Sequence, residues 1–280
     1  DLHSFPTRRS SDLAIAEDEQ LPLDDLKDLR ILLQNVGEKR KDYINKYGNI
    51  TNQSIGVIQR SILALEKEGA DKFFGKPELN IKDFIKTNNE SKGFINILDA
   101  AKLFQNPDLY ASFLLWLLVE LFQNMEEVGD LDKPKLVFFF DEAHLLFEGI
   151  PDYRLKKISQ IVRLIRSRGI GLFFISHAPT DIPDVILSQL GNRVQHTLRA
   201  YTPAEQKIVK AAAMAFRVNP KFDTEKAILE LGTGEALVSF QNENGEPEIV
   251  EKAIILPPQS HMGTIDNMTR NKVINSSEFV

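Results

Sequence analysis

Residues 136–142 constrain the fold more than any other stretch of the chain, and they read Leu-Val-Phe-Phe-Phe-Asp-Glu. Five consecutive apolar residues cannot alternate between a core face and a wet face. They favour a strand buried on both faces, as in parallel sheets covered by helices. Two carboxylates, Asp141 and Glu142, follow at once. Because ligands bind at the carboxyl ends of strands in open α/β sheets, the sequence predicts a functional site here.

An apolar strand that ends in Asp-Glu is the Walker B pattern of nucleotide hydrolases. In that pattern the Asp holds Mg²⁺, usually through water, and the Glu orients or polarises the attacking water. The pattern assigns Asp141 to metal and cofactor binding and Glu142 to catalysis, with ATP and Mg²⁺ as the cofactors. An acidic turn after an ordinary strand is the alternative, but the continuation Asp-Glu-Ala-His-Leu-Leu favours Walker B.

A Walker B site needs a phosphate-binding loop with the pattern G-x-x-x-x-G-K-[S/T], whose backbone N–H groups and Lys contact the phosphates. The chain contains no such pattern. The nearest candidate lies at residues 69–77, where the glycines are one residue too far apart and Pro77 replaces the hydroxyl residue. These residues therefore predict a turn rather than a phosphate loop.

The first residues offer an explanation for the missing loop. Residues 1–13 read Asp-Leu-His-Ser-Phe-Pro-Thr-Arg-Arg-Ser-Ser-Asp-Leu, which resembles the translation of a sequencing-library adapter. Such a segment is excluded from fold reasoning. We therefore expect the gene to continue upstream of Ala14 and the phosphate loop to lie there.

Charge limits the possible partners. The chain has 34 Lys and Arg against 40 Asp and Glu, a net charge of −6, so there is no bulk attraction to nucleic acid. A DNA contact would need a local basic strip, and Arg163, Arg166 and Arg168 could form one. Favourable interaction of these cations with a helix end is the alternative. The absence of cysteine excludes disulfides and thiolate metal sites.

The longest apolar stretch does not predict a membrane partner. Residues 109–122 are interrupted by Glu120 and are shorter than the ~20 residues that a membrane span needs. We expect a buried helix there.

The order of elements predicts an α/β fold. A helical insertion is expected over residues 14–90, an ATPase core over 91–258 and a flexible tail over 259–280. Apolar runs in the core predict strands at 94–98, 136–140, 171–176 and 193–198, separated by helices. This alternation favours a parallel sheet with right-handed crossovers. Asn244-Gly245 predicts a hairpin.

From about residue 23 to 264 the chain resembles the HerA-like bacterial ATPases, also called the helicase HerA-like C-terminal family and formerly a domain of unknown function. The stretches that carry the resemblance are residues 25–30, 56–60, 71–75, 129–147, 162–169, 190–196 and 234–240. The resemblance implies a P-loop NTPase of the additional-strand class shared with RecA and FtsK. This class has a mostly parallel sheet, here with a helical insertion and with the central Walker A strand missing from the chain.

The resemblance also implies a function. It is that of a cytoplasmic ATP hydrolase of the helicase or translocase type, working as a homo-oligomeric ring such as a hexamer and moving DNA. The alternative is an ATP-dependent regulatory or assembly module that acts on protein partners. A basic pore strip or DNA-stimulated turnover would distinguish the two.

Three further site residues come from the resemblance. Ser176 and His177 stand where the family usually has a Thr-Gln sensor of the γ-phosphate, which implies cofactor binding by Ser176 and a catalytic role for His177. Histidine can bond a phosphate or water, but unlike Gln it changes charge near neutral pH. Arg193 follows the sensor strand, and in ring ATPases an Arg from the next subunit often stabilises transition-state charge. An arginine at a sheet edge is the alternative.

Other sites are less well supported. The string Asp-Glu-Ala-His also marks two-domain helicases, but their Ser-Ala-Thr and Gln-x-x-Gly-Arg-x-Gly-Arg motifs are absent. The spacing of His144, His177 and His196 matches no standard metal-ligand pattern. A hydrolase triad of Ser176, His177 and Asp181 fails because adjacent strand residues point apart and no Gly-x-Ser-x-Gly elbow exists.

Overall fold

The computed structural model describes residues 11–48, 50–67, 69, 75, 79–98, 100 and 106–276, with the side chains of 11–14 and 108 left aside. Most of the adapter-like segment and most of the candidate loop at 69–77 lie outside the described residues. The chain divides into two compact units, residues 1–80 with 100–109 and residues 81–99 with 110–280. The domain bounds predicted from the sequence remain a prediction.

The described part of the first unit is helical. Asp25 caps the second of its helices, because its carboxylate accepts hydrogen bonds from the backbone N–H groups of Lys27 and Asp28. Leu33 and Val36 are fully buried in a small apolar core. The helices are α1 (Ser11–Asp18), α2 (Leu26–Glu38), α3 (Arg40–Tyr47) and α4 (Asn52–Lys67).

The second unit carries the strands. The helix α5 (Pro107–Asn124) precedes them, and Asn106 caps it by accepting a hydrogen bond from the N–H of Leu109. The elements that follow are β1 (Leu136–Phe140), α6 (His144–Phe147), α7 (Asp152–Leu164), β2 (Ile170–Phe174), α8 (Asp184–Leu187), β3 (Arg193–Gln195), α9 (Pro203–Met214), α10 (Thr224–Glu230), β4 (Glu235–Ser239), β5 (Glu251–Ile254) and α11 (Asn267–Asn275). A tail predicted to be flexible therefore contains a helix.

The strands β1 and β2 form a parallel pair in register from Leu136↔Ile170 to Phe140↔Phe174. The connection between them is helical, through α7 and a 3₁₀ turn at Ile165–Arg168. Gly169 ends this turn with a φ of +73°. A Cβ at this position would lie only 3.2 Å from side-chain carbons of Val128 and Leu131, so glycine allows these side chains to pack closely. The parallel pair and its helical crossover confirm the α/β prediction.

The prediction that the Walker B strand is buried on both faces is wrong. One face is covered, and Phe140 on it is 4% exposed. The opposite face carries Phe139 and Phe173, which stack at 4.7 Å between ring centroids and are 64% and 52% exposed. Only one face of this apolar strand is therefore buried, because no described residues cover the face that carries Phe139 and Phe173.

A second sheet is antiparallel, with strand order β3-β4-β5. The β4–β5 pair confirms the predicted hairpin, with Gly245 at φ +76° in its connection. The strand predicted at 193–198 is shorter, ends at Gln195 and pairs antiparallel with β4. The fold therefore adds an antiparallel sheet to the parallel pair.

The strand predicted at residues 94–98 is absent. These residues are in no helix or strand, and Ile95 and Ile97 are 91% and 87% exposed. A strand needs a neighbouring strand, and this segment belongs to neither of the described sheets. Its apolar sequence alone does not suffice.

Among the residues that the structure describes, no helix is both long and apolar enough to cross a membrane.

Candidate functional site

The ends of β1 and β2 are held side by side. The N–H of Ile175 donates to the carbonyl of Phe140 at 2.9 Å, and the N–H of Ala143 donates to the carbonyl of Ile175 at 2.8 Å. These bonds continue the parallel ladder past both strands. They bring the segment with Asp141 and Glu142 next to the segment with His177, more than thirty residues away in sequence.

Glu142 has a strained backbone. Its φ is +49°, a left-handed backbone conformation that residues other than Gly, Asn and Asp rarely adopt. The Asp141 carboxylate accepts a hydrogen bond from the Glu142 N–H at 3.0 Å and helps to hold this turn. Such strain is concentrated at functional sites, because the surrounding structure must enforce it.

Two imidazoles approach the carboxylate of Glu142. His177 Nε2 lies 3.1 Å from Glu142 Oε2, and His144 Nδ1 lies 3.3 Å from the same oxygen. The two rings are 5.8 Å apart between centroids. The His177 side chain is 78% exposed and that of His144 is 31% exposed. The predicted sensor segment thus contacts the predicted catalytic carboxylate directly, through His177.

Ser176 is engaged by Asp181, a residue that sequence reasoning considered only as part of a rejected hydrolase triad. Its hydroxyl donates to the Asp181 carboxylate at 2.7 Å, and the same oxygen accepts the N–H of Ala178 at 2.9 Å. Asp181 therefore ties the sensor segment into a compact turn around the 3₁₀ helix Pro179–Asp181. The nearest sequence signal was the short separation of Ser176 and Asp181.

Tyr110 is a further residue that sequence reasoning missed. Burial raises the pKa of its hydroxyl, and the charges of Asp141 and Glu142 raise it further. Tyr110 therefore shares its surroundings with both carboxylates and stays neutral there. The residue lies within an apolar stretch of α5, and nothing in the sequence around it indicates the site.

Arg193 makes its hydrogen bonds within its own chain. The guanidinium donates to the carbonyl of Ala215 at 2.5 Å and to that of Leu187 at 3.3 Å. Both carbonyls lie at helix ends, where they lack the N–H partner that a continuing helix provides four residues on. Burial lowers the pKa of Arg193. The structure does not bring this side chain to Asp141 or Glu142 within the described chain.

The three arginines near the end of α7 have different surroundings. Arg168 stacks over the ring of Phe122 at 4.4 Å and donates to the carbonyl of Met125, so it has a structural role. Arg166 forms an ion pair with Asp130 at 3.1 Å, with both side chains 77% exposed. Arg163 is exposed. A basic strip would therefore consist of Arg163 and Arg166.

The donor set of the site suits Mg²⁺. Asp141 is exposed at the strand end and offers hard oxygen ligands. The described residues contain no group of three or more His, Cys, Asp or Glu side chains that could hold a metal ion by itself. Mg²⁺ is typically held by one or two carboxylates together with water and substrate phosphates, so a single Asp is an adequate protein ligand.

A parallel strand pair with a helical crossover and acidic residues at the strand ends is typical of P-loop NTPases, and a solved structure has the same fold. VirB4 of Thermoanaerobacter pseudethanolicus superposes with a TM-score of 0.52 at 13% identity, over 89% of this chain and 65% of that chain. The fold is that of a P-loop NTPase, as the sequence predicted.

The chain belongs to the family described as helicase HerA-like C-terminal, whose profile matches residues 11–280. This confirms the resemblance read from the sequence. A probable helicase of Methanocaldococcus jannaschii is 26% identical over 219 residues, which cover 76% of this chain and 35% of that protein. The DNA double-strand break repair helicase HerA of Sulfolobus acidocaldarius is 24% identical over 210 residues, 74% of this chain and 40% of that protein. The chain thus spans less than half the length of these relatives.

Proposed function

We propose that this chain forms the metal and water side of an ATP-hydrolysing site, with Asp141 and Glu142 as its central residues. The observation that carries the proposal is their position at the carboxyl end of a parallel strand, with Glu142 in a strained left-handed conformation. Membership of a helicase-related ATPase family supports the same conclusion.

Asp141 would hold Mg²⁺ through water. When bound, Mg²⁺ neutralises charge on the phosphate oxygens of ATP. The carboxylate of Asp141 already accepts a hydrogen bond from the Glu142 N–H, which leaves its second oxygen available for the inner water shell. Asp141 therefore both shapes the turn and provides the ligand.

Glu142 would polarise the attacking water. Its carboxylate is 37% exposed, so water can reach it, and the backbone on both sides of it is held by hydrogen bonds to the main chain of Ile175. His177 contacts this carboxylate and stands at the sensor position, so it would report the γ-phosphate to Glu142 directly. Ser176, held by Asp181, would orient the sensor turn toward the nucleotide.

The phosphate loop would come from another part of the gene product. The sequence has no G-x-x-x-x-G-K-[S/T] pattern, and the curated relatives are more than twice as long as the region they share with this chain. Within the described residues β2 is hydrogen-bonded to β1 alone, so its other edge can accept one more parallel strand. We propose that a Walker A strand pairs there.

The polymer substrate and the assembly are also proposals. The name of the Sulfolobus relative points to DNA, and we propose a cytoplasmic ring that moves DNA, with a protein substrate as the alternative. Arg163 and Arg166 are exposed cations that would contact phosphates, Arg166 after releasing its ion pair with Asp130. An action of Arg193 across a subunit interface has less support, because its guanidinium is engaged at two helix ends.

The proposal is tested in the complete gene product that contains this chain. Glu142→Gln should leave ATP binding near normal and lower turnover by roughly 10²-fold or more, the scale of one catalytic group. Asp141→Ala should instead weaken Mg²⁺-dependent nucleotide binding. Glu148→Gln is the matched control, since Glu148 is an exposed acid six residues away and should have no effect.

Equal turnover by wild type and Glu142→Gln would refute the catalytic assignment. Turnover measured with and without duplex DNA decides between the two substrate classes. Stimulation by DNA, reduced in an Arg163→Ala and Arg166→Ala double variant, supports DNA, whereas a rate that DNA leaves unchanged favours a protein substrate.

A further inference from the structure

His144 Nδ1 is a buried polar atom without a well-aligned hydrogen bond in the part of the chain that the structure describes. Glu142 Oε2 lies 3.3 Å away, close enough for an ionic contact but not aligned for a hydrogen bond. Buried polar groups in native proteins are nearly always satisfied, and an exception calls for an explanation. The Glu142 carboxylate lies close to this nitrogen, so we look to Glu142 for the reason that His144 Nδ1 is buried without a hydrogen bond.

The position of His144 is well defined. It is the first residue of α6, and its carbonyl accepts the N–H of Glu148 at 2.8 Å. Leu146 and Phe147 of the same short helix are buried and anchor it to the core. The N–H of Leu145 donates back to the carbonyl of Glu142 at 3.0 Å. The imidazole is therefore carried by a rigid element that begins two residues after the carboxylate.

The two histidines differ in what they can do. His177 is mostly exposed on the sensor turn, so a phosphate or water can compete for it. His144 is much less exposed, and its Nδ1 is shielded from solvent. Only the second arrangement gives Glu142 a partner that water does not displace.

We propose that His144 is a positioning residue for Glu142. A small rotation of the carboxylate aligns Oε2 with the Nδ1–H tautomer of His144, and the resulting hydrogen bond fixes the orientation of the group that polarises water. The left-handed backbone fixes the direction in which the Glu142 side chain leaves the main chain, and the His144 imidazole fixes the position of its carboxylate. This inference rests on the proposed catalytic role of Glu142.

The test compares two replacements of similar shape in the complete gene product. In His144→Asn the amide nitrogen takes the place of Nδ1 and keeps the donor, whereas His144→Leu has the same outline and no donor. His144→Leu should lower kcat about 10-fold, the scale of one hydrogen bond to a charged group. The KM for ATP and the affinity for a fluorescent ADP analogue should stay within about twofold, and His144→Asn should recover most of the rate.

A double-mutant cycle shows whether the effect passes through Glu142. In a Glu142→Gln background, His144→Leu should change the single-turnover rate by less than about twofold, because the carboxylate to be positioned is gone. His261→Leu is the control for loss of a histidine elsewhere, since His261 is exposed and bonds only its neighbour's carbonyl. If His144→Leu does not fold, His144→Gln replaces it, with its amide displaced from the Nδ1 position.

The outcomes are separable. A His144→Leu rate equal to wild type, a loss that His144→Asn does not recover, or an equal loss in the Glu142→Gln background would each overturn the inference. If Glu142→Gln itself turns over like wild type, the proposed function fails instead.

Discussion

The positive φ of Glu142 predicts a reversal in the usual order of stability of Gly and Ala. A non-glycine residue in the left-handed region costs about 1–2 kcal/mol, because its Cβ crowds the following carbonyl oxygen. Glu142→Ala keeps this cost at φ +49°, and Glu142→Gly removes it. Gly also loses about 0.5–1 kcal/mol more backbone entropy on folding than Ala. The Gly variant should therefore be more stable than the Ala variant by about 0.5–1 kcal/mol.

Glu148 provides the control. It has a φ of −65° and a ψ of 124°, which any residue adopts without strain. There Gly should be less stable than Ala by about 0.5–1 kcal/mol. The two Gly-minus-Ala differences should thus have opposite signs and differ by about 1–2 kcal/mol.

Thermal and urea unfolding of the four variants, each made in the complete gene product, measures this contrast. Both replacements of Glu142 remove the carboxylate, so turnover should be lost in both while stability differs. If Glu142→Gly is less stable than Glu142→Ala by the same amount as at position 148, the strain does not exist and the argument from it to function fails.

Two further predictions concern Arg193 and Glu205. Arg193→Ala should lower the free energy of unfolding by about 1–3 kcal/mol, because the carbonyl of Ala215 loses its donor, whereas that of Leu187 keeps the N–H of Leu190. If Arg193 also acts across an interface, mixing this variant with Glu142→Gln should restore turnover that vanishes on dilution, and a lack of recovery in confirmed mixed oligomers would make the role structural. Backbone N–H groups of Tyr201 and Thr202 lower the pKa of Glu205 below its ordinary value of 4.5. The ionised Glu205 therefore contributes its full stabilisation above pH 4.5 and loses it as the pH falls through the lowered pKa. Glu205→Gln should flatten the acid limb of a plot of unfolding free energy against pH. An unchanged acid limb would contradict this.

Local signals in the sequence were sufficient for several elements. The apolar run at 136–140 became β1. Thr202 and Glu205, spaced as the capping-box pattern requires, form a capping box at the start of α9, and Gly169 ends the helical crossover. Each of these depends on neighbours within a few residues, through caps, turn conformations or a continuous run. Interactions at that range depend only on residues close in sequence, so the sequence alone predicts them.

Burial did not follow from the same signals. The exposed face of Phe139 and Phe173 and the segment at 94–98, which is in no helix or strand, both have apolar sequences that a covered sheet would require. Hydrophobicity states what a segment favours, but burial needs another element to pack against it. Whether that element is present depends on the whole assembly of strands, which no local pattern contains.

The site divides in the same way. The sequence by itself determined that Asp141 and Glu142 stand at the end of a strand, because the apolar run stops there. Only the tertiary structure decided that His177 contacts Glu142, that the charges of both carboxylates act on Tyr110, and that Glu142 has a left-handed conformation with His144 close to its carboxylate. The contact of His177 with Glu142 is set by the parallel register of β1 and β2, which joins residues far apart in the chain. A register is a property of two strands together, so neither sequence segment could specify it alone.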